Sequence, residues 1–136
     1  MTIIPNSQGW YAIEGDVDTD AVAQLKKIAP IAKLSLAKIP LVTVQRARRL
    51  SSLHVEHLWL GCDVTRRAMR HIVQMPGLRA LDVLCIKGPG AMGHFRQAHT
   101  LETFRANHDL TEADLLEVTQ CAQLNALGAQ GAELSC

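Results

Sequence analysis

The chain has 136 residues, enough for one domain that buries about two thirds of its unfolded surface without a disulfide or metal staple. Hydrophobic residues make up 48% and charged residues 20%, a globular composition that excludes a disordered chain. Fourteen Lys and Arg oppose thirteen Asp and Glu, and the resulting net charge of +1 excludes a global electrostatic footprint for nucleic acid or an anionic membrane.

The first residues show no basic leader and no long apolar core, and no apolar run reaches the ~18 residues of a membrane span. A cytoplasmic location is therefore expected, with Cys62, Cys85, Cys121 and Cys136, which form no CxxC pair, as buried free thiols. Trp10 and Ile13 open a first strand, and the helix after it carries Val22, Leu25 and Ile28 until Pro30 stops it. Ile31, Leu34 and Leu36 make the next strand, with Val44, Ala47 and Leu50 as its helical stripe.

From Val55 onward the pattern becomes a repeat without gaps. Val55, Leu78, Leu101 and Leu124 share a column and lie 23 residues apart. Leu58, Leu81, Phe104 and Leu127 share a second, and Leu60, Val83, Ala106 and Ala129 a third. Apolar spacing of two is strand-like. Spacing of three, at Met69/Ile72/Met75, Met92/Phe95/Ala98 and Leu115/Val118/Cys121, is helical. Each unit is thus a short strand followed by a helix of about ten residues. Thr65 and Thr111 stand where helix N-caps belong, and Asp114 adds a favourable first-turn charge. Gly88, Pro89, Gly90 and Gly93 predict a short or irregular helix in the unit from Leu78.

The motifs IxxLxL at 31–36, VxxLxL at 55–60, LxxLxV at 78–83 and LxxFxA at 101–106 resemble leucine-rich repeats, over nearly the whole chain. The resemblance implies an α/β solenoid of about five to six repeats, one domain across residues 1–136. A parallel sheet would line its concave face and helices its convex face. The family's Asn or Cys three residues after the third apolar position is Asp63, Ile86 and Asp109 here.

Strand alternation then lists the outward columns. One holds Glu14, Ser35, Trp59, Asp82, Arg105 and Gly128, and a second holds Ala12, Lys33, His57, Ala80, Thr103 and Ala126. A third holds Tyr11, Ala32, Glu56, Arg79, Glu102 and Asn125. His57, Trp59, Arg79, Asp82, Glu102 and Arg105 gather at the centre, and an exposed aromatic among arginines and charges is the composition of a protein-binding hot spot.

Other groupings carry less. His57, Asp82 and Glu56 are general acid–base residue types, but no glycine phosphate loop or nucleophile elbow accompanies them. Cys62, Cys85 and His108 share a column, a zinc-compatible set whose straight ladder surrounds a tetrahedral ion poorly. His71 and His94 read as helix-side surface residues, and Arg46, Arg48, Arg49, Arg66, Arg67 and Arg70 make the helix side of the middle units basic.

The expectation is a non-catalytic interaction module that binds another protein with its concave sheet, as an adaptor subunit or an inhibitor. No cofactor, metal, nucleic acid or membrane is expected. The alternative is a metal protein or small enzyme using His57/Asp82 or the Cys62/Cys85/His108 column. An open edge at Leu124, Leu127 and Ala129 would pair with a second copy as a homodimer.

Overall fold

The computed structural model describes residues 2–5, 10–14, 18–28, 30–36, 39, 41–88, 95, 98, 100–108, 116, 118 and 126–129. In chain order its elements are β1 (Thr2–Pro5), β2 (Trp10–Glu14), α1 (Thr19–Ile28), β3 (Ile31–Leu36), β4 (Leu41–Val42), α2 (Val44–Leu50), β5 (Val55–Thr65), α3 (Arg66–Ile72), β6 (Ala80–Lys87), β7 (Thr103–His108) and β8 (Ala126–Ala129). The strands form one sheet in the order β1-β2-β3-β5-β6-β7-β8, with β4 pairing β5 beyond the end of β3. Pairing is parallel from β2 to β8, so this is an α/β chain built on six consecutive parallel strands and three helices among the described residues.

The register reproduces the sequence columns. Leu34 pairs with Leu58, Leu58 with Leu81, Leu81 with Phe104, and Phe104 with Leu127. One row in, Leu36, Leu60, Val83, Ala106 and Ala129 do the same. The period-two spacing sends Leu34, Leu36, Leu58, Leu60, Leu81, Val83, Phe104 and Ala106 into the core, where they meet Val22, Leu25, Ala47, Leu50, Met69 and Ile72 from the helices. Burying each large aliphatic side chain contributes about 1.5–3 kcal/mol, and this term, rather than propensity, holds the short helices in place.

Three helices begin in the same way. Asp18 Oδ1 accepts from the Ala21 amide (2.8 Å), Thr43 Oγ1 from Arg46 (3.3 Å) and Thr65 Oγ1 from Ala68 (3.1 Å). Each cap satisfies an amide that the first turn leaves without an intrahelical partner. The return to the sheet is made at Gly77, whose φ of +72° suits a residue without a β-carbon. Thr111, Asp114 and most of the helical stripes after β6 and β7 lie outside the described residues. Phe95, Ala98 and Val118 from those stripes are buried in the core. Asn125 and the chain beyond Ala129 also lie outside them, so the expected pairing of two copies along the β8 edge lies outside the described residues.

Several expectations require correction. β1 runs antiparallel to β2 and takes the outer edge of the sheet, where no strand is anticipated. The first unit is misaligned by two residues: Tyr11 pairs with Leu34 and Ile13 with Leu36, so Trp10 faces Lys33 and Ala12 faces Ser35. Inward burial decides this register, since Ile13 is buried and Tyr11 packs partly against the core.

The Cys62/Cys85/His108 column does not form. The β5–β6 register shifts between Leu60 and Asp63, so Asp63, not Cys62, pairs with Cys85, which in turn pairs with His108. Among the described residues no group of three or more His, Cys, Asp or Glu is arranged to hold a metal ion, and no helix is long and apolar enough to cross a membrane.

Candidate functional site

The described helices cover one face of the sheet, and the other face carries the outward positions of β2 to β7. Two rows cross it. The first is Trp10–Lys33–His57–Ala80–Thr103 and the second Ala12–Ser35–Trp59–Asp82–Arg105, with neighbouring strands ~4.8 Å apart.

Trp59 lies between buried Leu58 and Leu60, so alternation turns it outward, and it is 40% exposed. The next outward position on β5 is Gly61. A β-carbon there would stand 2.5 Å from the far edge of the indole, so the ring lies over a residue that has no side chain to obstruct it. Across β3, Trp10 meets His57 edge to face, with ring centroids 4.7 Å apart, and the Lys33 ammonium sits 5.7 Å from the Trp10 ring centroid. The two indoles, Ala12 and Ser35 line an open groove of about 290 Å³.

His57 Nε2 donates to Asp82 Oδ2 (2.5 Å), a diagonal contact between β5 and β6 that leaves both side chains half-buried. No hydrogen bond among the described residues joins His57 to a hydroxyl or thiol.

Arg79 and Glu102 precede β6 and β7, at the end of the sheet where the strands begin. Their backbones pair, Glu102 N donating to Arg79 O (2.8 Å), and Arg79 Nε donates to Glu102 Oε2 (2.7 Å). That hydrogen bond, reinforced by the guanidinium charge, holds the Glu102 carboxyl below its ordinary range. Arg105 is exposed on β7 and has no carboxylate partner among the described residues.

The six sequence-predicted residues thus divide. His57, Trp59 and Asp82 adjoin one another, Arg105 continues their row, and Arg79 with Glu102 forms a separate exposed pair at the strand entrances. Trp10 is the residue that the expected register misses. Its signal is the period-two pair Tyr11/Ile13, which matches Leu58/Leu60 and puts Trp10 outward.

Cys62 and Cys85 are buried, and burial, with the Asp63 charge adding to it against Arg46, pushes the Cys62 thiol up to about 11. On the helix side, Arg48, Arg67 and Arg70 are exposed. Burial first, then the charges of Arg48 and Arg70, lowers the pKa of His71.

Comparison with known proteins adds no precedent: no family model, no curated protein and no solved structure matches the chain.

Proposed function

We propose that this chain is a leucine-rich-repeat-like solenoid whose sheet forms the concave face, and that this face binds another protein without catalysing a reaction. The observation that carries the reading is Trp59. A large indole 40% exposed on a central strand, beside a second indole and a paired His57–Asp82, is costly to leave in water and is the type of anchor that dominates protein interfaces. Trp10, Ser35 and Arg105 extend the same surface, while Arg79 and Glu102 form its polar rim. An adaptor and an inhibitor use such a face in the same way, by presenting rigid side chains on a rigid sheet.

A native pull-down from cell extract, with mass spectrometry of what co-purifies, tests the proposal. A partner recovered with the wild-type chain and lost with Trp59→Ala supports it. Recovery unaffected by Trp59→Ala contradicts it, as does stoichiometric zinc in the purified protein.

A further inference from the structure

The face also carries a preference for one kind of partner, which rests on the binding role assigned to it above. The groove between Trp10 and Trp59 is floored by Ala12 and Ser35, so its walls are aromatic and its base is small. At about 290 Å³ it lies at the bottom of the ~300–1,000 Å³ range of small-molecule sites, a size that suits one apolar side chain better than a cofactor.

The charges around it are divided unequally. Asp82 accepts from His57, and Glu102 is held by Arg79, so these two carboxylates are engaged. Glu56 lies at the strand entrances, where the Arg79 guanidinium feels its charge. The cations left without a carboxylate partner on this face, among the described residues, are Lys33 and Arg105. Lys33 stands beside the groove, over the ring of Trp10 that lines it. Arg105 lies three strands from Ser35 along the same row, ~14 Å at ~4.8 Å per strand.

We infer that the partner presents an extended acidic segment: an aromatic or large aliphatic side chain enters the Trp10/Trp59 groove, one carboxylate beside it meets Lys33, and a second, about four residues further on at ~3.3 Å per residue, meets Arg105. A basic segment is disfavoured at the groove, because the Lys33 ammonium already lies over the Trp10 ring.

The chain reports on this site directly, since its two tryptophans are Trp10 and Trp59. Random 12-residue peptides displayed on phage are selected on the immobilised full chain. Enriched peptides are then synthesised and titrated by intrinsic fluorescence against wild type, Trp59→Ala and the Lys33→Glu/Arg105→Glu double variant. The expected result is enrichment of an aromatic or Leu flanked by Asp or Glu. Affinity should be about tenfold lower in the double variant, and lower in wild type as salt rises from 0.1 to 0.5 M by roughly the same factor. The salt series needs no variant to fold. Enriched neutral or basic peptides whose binding still depends on Trp59 overturn the acidic partner and leave the binding face standing. Peptides indifferent to Trp59→Ala, or no enrichment, overturn both.

Discussion

Trp59 has its position because residue 61 has no side chain. In Gly61→Ala the added methyl meets the end of the indole rather than backbone, so the ring moves and the strand does not. The expected outcome is an altered tryptophan emission and weakened partner binding, with a melting temperature near that of wild type. Trp59→Ala should cost about 2 kcal/mol or more of binding and little stability, because the indole lies on the open sheet face rather than in the core. A melting temperature lower by many degrees with binding intact would mean that the indole packs inward. Cys62 behaves in the opposite sense. Its thiol, pushed from 9.0 to about 11 with burial as the first cause, is protonated at neutral pH. The thiolate is the nucleophile, so its fraction falls about a hundredfold for that shift. Peptide-mapped alkylation at pH 8 should therefore label Cys62 much more slowly in the native chain than in the unfolded one.

At the scale of elements, the caps are the devices that set where helices begin. Thr43→Ala and Thr65→Ala should each lower stability by about 1 kcal/mol in denaturant melts, without moving partner affinity, because both lie at helix starts rather than on the open face. Much of the element order is legible in the sequence. The strands at 31–36, 55–65, 80–87, 103–108 and 126–129 coincide with the apolar columns, since one-sided burial of a pleated strand enforces a period of two and parallel pairing aligns the buried positions of neighbouring strands. Three features are not legible in those terms. The spacing of three in Trp10/Ile13 competes with the spacing of two in Tyr11/Ile13, and only pairing against Leu34 and Leu36 decides between them. The shift between Leu60 and Asp63 depends on how two strands meet, which neither strand's pattern reveals, and it is what separates Cys62 from Cys85. β1 has only four residues, too short for a periodic signal. The candidate site was accordingly half readable: Trp59, His57 and Asp82 follow from alternation, whereas Trp10 needs the pairing.

At the scale of the molecule, the described strands and helices share one core, so damage at its centre reaches every neighbour. Leu58 is fully buried on β5, between β3 and β6. Leu58→Ala should cost about 2–5 kcal/mol and lower the midpoint of a single denaturant transition. The same sheet separates two surfaces of different character. One bears Trp10, Trp59 and the His57–Asp82 pair, and the other bears the exposed helix residues Arg48, Arg67 and Arg70. Function turns on which of the two surfaces meets the partner. Site-specific photo-crosslinking decides it most directly, with a photoreactive residue placed at Thr103 on the sheet face in one variant and at Arg67 on the helix face in another. Crosslinks to a partner from position 103 and none from position 67 are the predicted result; crosslinks from position 67 alone would contradict the assignment of the sheet as the binding face.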